Sequence, residues 1–215
     1  EKALLRAAEL HESKSKPTLV ERIEILRRTK ALMEKNKTKL ALQAANEGGK
    51  PLVDSLVEIE RGIDGVEVCI EALRGEQGHV IPMRVTPSSA GRLAFTQTFP
   101  IGPVMAVSAF NHPFNLIVHQ CIPAVATGCP VIVKPAEATP MSANSISEML
   151  MEAGLPDGWC QVVNTTDLTV ASKLVTDPRI SFFSFIGSGA VGWRLRSQLA
   201  PGTRCGLEHG GVAPV

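Results

Sequence analysis

Lys134 and Glu137 stand three positions apart, directly after the short apolar run 131–133. An ammonium that donates hydrogen bonds and a carboxylate that accepts them could together hold the diol of a ribose. The same two side chains could instead form an ion pair in a loop, which would contribute little to stability. The pair therefore indicates either a sugar site or a surface ion pair.

A glycine-rich segment over 185–192 suits a different part of a nucleotide. Its spacing is Gly-x-Gly-x-x-Gly, supplied by Gly187, Gly189 and Gly192. We predict a strand over 180–184, a turn over this segment and a helix over 193–199. Backbone N–H groups and the positive end of the helix dipole would then face a phosphate, and Ser188 could add a hydroxyl. Alternatively, the glycines only let the strand and the helix pack closely.

Asn111 follows the apolar run 104–109, and Glu208 follows a later one. The Asn111 amide could stabilise negative charge that develops on an oxygen, or its side chain could cap the helix that begins at Pro113. Taken alone, the local pattern favours the cap, and the sequence names no partner for His112. Glu208 precedes two glycines, so its carboxylate could act as a general base on an open turn or be an ordinary loop acid.

These four groups share one kind of position, because each follows an apolar run. The runs alternate with helical patterns, which predicts a doubly wound α/β fold with a Rossmann-like parallel sheet covered by helices on both faces. Ligands of such sheets bind beyond the carboxyl ends of the strands. The predicted strands are 104–109, 131–133, 160–163 and 180–184, and the helices between them are 113–127, 140–153 and 168–176.

The N-terminal third reads as helices followed by a projecting β-hairpin. Apolar spacing predicts one long amphipathic helix over 17–46, which the glycines and proline of 47–51 end, and a second helix over 52–73. Alternation interrupted by prolines and serines predicts two strands joined by a polar turn over 79–98. The chain begins within a helical pattern and stops at the apparent start of another element, so we expect a piece of a longer protein.

Composition narrows the classes of function. Lys and Arg number 22 against 21 Asp and Glu, a net charge of +1, which gives no reason to expect nucleic acid or a membrane surface as a partner. No apolar stretch is long enough to cross a bilayer, and no signal peptide is recognisable. The 5 cysteines lack metal-ligand spacing, so we expect no metal site and a reducing, cytoplasmic setting.

In combination, the motifs resemble those of the aldehyde dehydrogenase superfamily over essentially the whole chain. The matching segments are Phe110-Asn111-His112-Pro113, Lys134-Pro135-Ala136-Glu137, Phe185-Ile186-Gly187-Ser188 with Val191-Gly192, and Leu207-Glu208-His209-Gly210-Gly211. The resemblance implies an NAD(P)-dependent enzyme that oxidises an aldehyde to a carboxylic acid through a cysteine thioester.

The resemblance also implies roles for individual residues. Asn111 would stabilise the oxyanion, and Glu208 would activate the water that hydrolyses the thioester. Lys134 and Glu137 would hold the adenosine ribose, where a carboxylate repels a 2′-phosphate and so favours NAD, with NADP possible. The residues implied in cofactor binding are Phe110, Lys134, Glu137, Gly187, Ser188, Gly192 and Gly210.

Departures from the family pattern limit what the chain alone is expected to do. The sequence ends seven residues after Glu208, whereas the family's cysteine nucleophile should lie farther along the chain than the base. We therefore expect the catalytic domain to be absent and the isolated chain to be inactive. His209 and Val212 stand where the family more often has Leu and Lys. The segment 164–168 lacks the family's glycines, so no cofactor contact is expected there.

The predicted organisation has three parts. They are an N-terminal helical part of the cofactor domain over 1–78, a hairpin arm over 79–100 and the NAD(P)-binding domain over 101–215. The arm resembles the family's oligomerisation arm, which implies a dimer or tetramer of the full-length protein. Two other interpretations stay open: a non-catalytic nucleotide-binding module or pseudoenzyme, and a structural α/β domain whose glycines serve only packing.

Overall fold

The central sheet has five strands that all run parallel. A computed structural model describes residues 1–75 and 78–211, so the expectations on Val212 and the chain end lie outside the described residues. The strands are β1 (Val80–Ile81), β2 (Ala94–Phe95), β3 (Val104–Val107), β4 (Val131–Lys134), β5 (Cys160–Val162), β6 (Phe182–Gly187) and β7 (Arg204–His209). The helices are α1 (Lys2–Glu12), α2 (Leu19–Lys35), α3 (Lys37–Gly48), α4 (Leu52–Gly75), α5 (Pro113–Ala126), α6 (Met141–Glu152), α7 (Leu168–Thr176) and α8 (Gly189–Arg196).

The strand order is β5-β4-β3-β6-β7. The chain enters the sheet in its middle at β3, moves outward through β4 and β5, and returns to the other side of β3 as β6. This order places a switch point between β3 and β6, which is where ligands of open parallel sheets bind.

Successive residues of a strand face opposite sides of the sheet, and each side has its own core. Val104 and Val131 pack with α5 and α6 on one side, where α2 and α4 add a second layer. Met105, Ile132 and Phe183 pack with α1, α7 and α8 on the other side. The predicted doubly wound α/β fold with N-terminal helices is therefore confirmed. Among the described helices, none combines the length and apolar character needed to cross a membrane.

The prediction of one helix over 17–46 is wrong, because the chain breaks at Asn36 into α2 and α3. The Asn36 side-chain amide donates to the carbonyl of Leu32 at 2.8 Å, a bond that competes with regular helical pairing. The predicted end is right: α3 stops at Gly48, and Gly49 adopts a left-handed conformation with φ 65°.

The hairpin over 79–98 exists but is smaller than predicted. Its two antiparallel strands, β1 and β2, have only two residues each, and the connection between them contains a short 3₁₀ turn over Pro87–Ser89 rather than a simple polar turn. Pro82 directly follows β1, and a residue without an N–H cannot extend the ladder. Several large apolar side chains of this region are exposed, namely Val80, Val85, Leu93, Phe95 and Phe99.

Candidate functional site

The first N–H groups of helix α5 donate to a carboxylate from a distant part of the chain. Glu58 of α4 is buried, with 0% of its side chain exposed, and its Oε1 accepts the N–H groups of Phe114 at 2.7 Å and Asn115 at 3.0 Å. This satisfies donors that lack partners within the helix and places negative charge at the positive end of the dipole. The alternative that Asn111 caps this helix is wrong, since the N-cap is His112 and Glu58 supplies the acceptor.

Lys50 completes the group around Glu58. Its ammonium pairs with Glu58 Oε2 and lies 3.2 Å from His112 Nδ1 and 3.4 Å from the carbonyl oxygen of Asn111. His112, for which the sequence named no partner, therefore has one. The backbone at Asn111 is thus tied to the N-terminal helices.

Two further helices that follow strands of the sheet also start at a carboxylate. Glu47 of α3 accepts the N–H groups of Met141 at 2.7 Å and Ser142 at 3.0 Å, where α6 begins. Asp167 is the N-cap of α7 and accepts the N–H of Thr169 at 2.7 Å. That hydrogen bond, with a second from the next residue, lowers the pKa of the Asp167 carboxyl. The donors at both helix starts are therefore occupied.

The start of α8 differs from these three. Its N-cap is Ser188, whose side chain makes no capping hydrogen bond. Over the described ranges, 1–75 and 78–211, no side chain accepts the N–H groups of Gly189, Ala190 or Val191. These donors lie at the carboxyl end of β6, beside the switch point, and the positive end of the helix dipole adds to them. They form a site suited to an anion.

The glycine-rich segment contains a shorter turn than predicted. Strand β6 continues through Gly187, and α8 already begins at Gly189, so the turn is Ser188 alone rather than 185–192. The reason is that Phe185 and the two residues after it still pair with β7, and Phe185 also pairs with β3.

Two glycines of this segment are required by packing. A Cβ on Gly192 would lie 2.5 Å from the His209 ring and 2.9 Å from the Phe185 ring, and one on Gly187 would lie 2.8 Å from Phe185. A Cβ on Gly189 would stay 3.8 Å from the nearest atom of His209. The glycines themselves therefore do not argue for a phosphate, but the free N–H groups do.

Lys134 and Glu137 meet at the end of β4. The Lys134 Nζ is 4.0 Å from Glu137 Oε1, with 11% and 50% of the two side chains exposed. Glu137 also lines a cavity of about 400 Å³ together with residues 164–166. The segment from which no cofactor contact was expected thus borders the same cavity as the carboxylate expected to hold ribose.

Glu208 lies within β7, paired with Ile186, rather than on a turn after the strand. It lines a cavity of about 540 Å³ formed largely by α4 and α5, with Arg61 and His119 in the wall. Cys69 lines the same cavity, and burial raises the pKa of its thiol, the opposite of what activates a nucleophilic thiolate.

The remaining predicted residues lie in exposed loops at the carboxyl edge of the sheet. Phe110 and Asn111 are between β3 and α5, and Gly210 follows β7, where a Cβ would meet open space. Asn111 and Glu208 approach this edge from strands that β6 separates. Within the part of the chain that the structure describes, His, Cys, Asp and Glu form no group that could hold a metal ion.

Sequence reasoning missed the group of Lys50, Glu58 and His112. One signal could have found it, because Glu58 falls on the buried stripe of α4 together with Ser55 and Gly62. A carboxylate on an apolar helix face needs partners, since leaving it unpaired there would be costly. One partner, Lys50, is eight residues away in the sequence, whereas the N–H of Phe114 is 56 residues away and reaches Glu58 only through the fold.

Comparisons with known proteins find relatives of the whole chain. A family model described as "Aldehyde dehydrogenase family" matches residues 1–215. The mitochondrial succinate-semialdehyde dehydrogenase of Arabidopsis thaliana is 34% identical over 213 residues, which cover 99% of this chain and 40% of that protein.

Solved structures agree with this match. Aldehyde dehydrogenase 21 from Physcomitrella patens, in complex with the reaction product succinate, has a TM-score of 0.93 at 32% identity, covering 99% of this chain and 44% of that one. The glyceraldehyde-3-phosphate dehydrogenase GapN from Methanocaldococcus jannaschii, complexed with NADP, has a TM-score of 0.88 at 29% identity, covering 98% and 46%. The chain therefore spans less than half the length of these relatives.

Proposed function

Because this chain belongs to the aldehyde dehydrogenase family, we propose that it supplies the dinucleotide-binding part of an enzyme that oxidises an aldehyde to a carboxylic acid. A nicotinamide cofactor, when bound, accepts the hydride in such a reaction. The structurally related GapN was solved with NADP, which supports a nicotinamide cofactor here.

The observation that carries this proposal is the free start of α8. Among the described residues, the N–H groups of Gly189, Ala190 and Val191 donate to no capping side chain, whereas α5, α6 and α7 all start at carboxylates. A pyrophosphate would find donors and a favourable dipole only where no carboxylate already stands. We therefore assign the pyrophosphate to α8, with Gly187 and Ser188 beside it and Gly192 packing the helix against β6.

We assign the adenosine ribose to Lys134 and Glu137. Both lie at the end of β4, and Glu137 borders a cavity of about 400 Å³. A carboxylate that accepts from the ribose diol repels a 2′-phosphate, so NAD is the preferred cofactor. Phe110 and Gly210, both in loops at the same edge, are assigned to the nicotinamide end.

The catalytic assignments are Asn111 as an oxyanion donor and Glu208 as the base that activates water. Glu208 supports this by lining a cavity of about 540 Å³ that could admit a substrate. Its cysteine neighbour, Cys69, has a thiol pKa raised by burial and is not assigned as the nucleophile.

The hairpin supports an oligomer of the full-length protein. Its exposed apolar residues, including Val80 and Phe95, form an edge that another subunit could cover. We also propose that the chain consists of an N-terminal helical part over 1–78, a hairpin arm over 79–100 and the NAD(P)-binding domain over 101–215. The cysteines are free thiols, which supports the reducing, cytoplasmic setting.

Calorimetric titration of the chain with NAD and with NADP tests the proposal. We expect NAD to bind and NADP to bind more weakly, and Glu137→Gln to reduce the difference between them. Glu148→Gln, at an exposed position of α6, is the matched control and should leave both affinities unchanged. Absence of binding by either nucleotide would contradict the nucleotide assignment, and an unchanged preference in Glu137→Gln would contradict the ribose assignment.

A further inference from the structure

Asn111 is exposed, and its side chain lies in the loop before α5. An oxyanion donor is effective only when its direction is fixed before the reaction, because reorientation during the reaction costs free energy. Among the described residues, the contacts that hold this loop reach the Asn111 carbonyl oxygen, the His112 ring and the N–H of Phe114 rather than the Asn111 amide. The source of its orientation must therefore be sought in those contacts.

The two oxygens of Glu58 have separate tasks. Oε1 accepts the N–H groups of Phe114 and Asn115 and so fixes the start of α5, whereas Oε2 pairs with the Lys50 ammonium. The carboxylate is fully buried, and only 14% of the Lys50 side chain is exposed. A buried ion pair of this kind contributes little net stability, so its presence calls for another reason.

Lys50 connects Glu58 to the loop that contains Asn111, between β3 and α5. An ammonium has three donors, and Lys50 has three acceptors within reach: Glu58, the Asn111 carbonyl oxygen at 3.4 Å and His112 Nδ1 at 3.2 Å. When the ammonium donates this bond, Nδ1 is the acceptor and the ring proton is on Nε2. The Lys50 ammonium therefore contacts both residues that precede Pro113, namely Asn111 and His112.

We propose that Lys50 and Glu58 are positioning residues that aim the Asn111 amide, acting through the Asn111 backbone and His112. The proposal rests on the assignment of Asn111 as the oxyanion donor. Glu47 provides an internal comparison, since it caps α6 in the same way through Met141 and Ser142 without a lysine that reaches a proposed catalytic loop. If capping alone mattered, the two carboxylates would be equivalent.

The test is nuclear magnetic resonance of the ¹⁵N-labelled chain. Glu58→Gln keeps an oxygen that can accept the α5 N–H groups but removes the charge that holds Lys50, and Lys50→Met removes the contacts to the loop directly. In both variants we expect the Asn111 side-chain amide to lose its single set of signals and the His112 imidazole to lose its fixed tautomer, while the α5 amides beyond Asn115 keep theirs. Glu47→Gln should change only signals near Met141 and Ser142.

Unchanged Asn111 and His112 signals in a folded Lys50→Met variant would overturn the proposal. If Glu58→Gln does not fold, Lys50→Met still decides, because the buried carboxylate keeps its hydrogen bonds to α5 there. Titration of each variant with NAD separates the two proposals. Changed Asn111 side-chain signals in a variant that binds NAD as tightly as the unaltered chain support the positioning role. If the unaltered chain does not bind NAD, the nucleotide assignment is contradicted, but the Asn111 signals of the variants still test positioning.

Discussion

Helices α5 and α8 follow the two strands that lie side by side at the switch point, yet their starts are built in opposite ways. The first N–H groups of α5 are bonded to the buried carboxylate of Glu58, whereas those of α8 have no capping side chain within the described residues. The carboxylate on α5 occupies the place that a phosphate would need. If α8 holds the pyrophosphate as we propose, the N-terminal helices favour that site by placing carboxylates at the starts of α5 and α6.

The same contrast extends to the other helices of the sheet. Glu47 stands at α6 and Asp167 at α7, so three of the four helices that follow strands of the sheet begin at a negative charge. Two of these carboxylates come from the N-terminal helices and one is local. A carboxylate at a helix start stabilises the helix and at the same time repels an anion. The starts of α5, α6 and α7 therefore contribute to stability, whereas the start of α8 is the one suited to binding an anion.

The largest expected effect is at the buried carboxylate. Glu58→Ala leaves Lys50 unpaired and two N–H groups without an acceptor, so we expect a loss of about 3–5 kcal/mol in the free energy of unfolding. Glu47→Ala removes a half-buried cap without such a partner and should cost about 1 kcal/mol. Urea unfolding of both variants measures the difference. Equal losses would show that the pairing with Lys50 does not distinguish the two caps.

The next effect concerns the packing beneath the free helix end. Gly192→Ala would place a Cβ 2.5 Å from the His209 ring, and we expect it to cost about 1–3 kcal/mol by overpacking. Gly189→Ala meets no atom closer than 3.8 Å and should stabilise α8 by up to about 1 kcal/mol through higher helix propensity. Thermal unfolding of the two variants compares them directly. A destabilised Gly189→Ala would contradict this account of the segment.

Replacing His209 is expected to have a smaller effect, and to raise the stability rather than lower it. Both ring nitrogens are buried and have no hydrogen-bond partner in the described part of the chain, and the ring lies about 6 Å from those of Phe185 and Trp193. His209→Leu removes two unsatisfied polar atoms from an apolar site, so we expect a gain of about 1–2 kcal/mol in stability. The urea midpoint measures it. A loss of stability in this variant would mean that the imidazole has a partner in solution.

The smallest effect is the pH dependence of the local cap on α7. The hydrogen bonds from Thr169 and the next residue lower the pKa of Asp167 below its value in the unfolded chain, about 3.9. The stability that this carboxylate contributes is therefore present above about pH 4 and is lost as the pH falls through the lowered pKa. The difference in stability between the unaltered chain and Asp167→Asn should shrink on acidification. A difference independent of pH would contradict the role of the charge.

Local patterns predicted much of this fold. The short apolar runs gave β3, β4 and β5 within two residues of their ends, because buried parallel strands need continuous apolar residues. The break at Asn36 was missed because helical apolar spacing continues across it, while one side-chain hydrogen bond decides the local backbone.

The cap on α5 was beyond local patterns for a different reason. Glu58 and Phe114 are 56 residues apart, and their contact depends on how α4 packs against α5. The same separation explains why the local pattern favoured Asn111 as a cap, since the sequence next to a helix does not reveal an acceptor that arrives from elsewhere. The proposed ribose pair, in contrast, consists of neighbours, Lys134 and Glu137, and their proximity was predictable.

A titration of the ¹⁵N-labelled chain with NAD tests the central claim most directly. If α8 holds the pyrophosphate, the amide signals of Gly189, Ala190 and Val191 should move with NAD concentration, and by more than those of Phe114 and Met141, which already donate to carboxylates. Saturable binding that moves the signals at the starts of α5 or α6, and leaves those of α8 in place, would contradict the account.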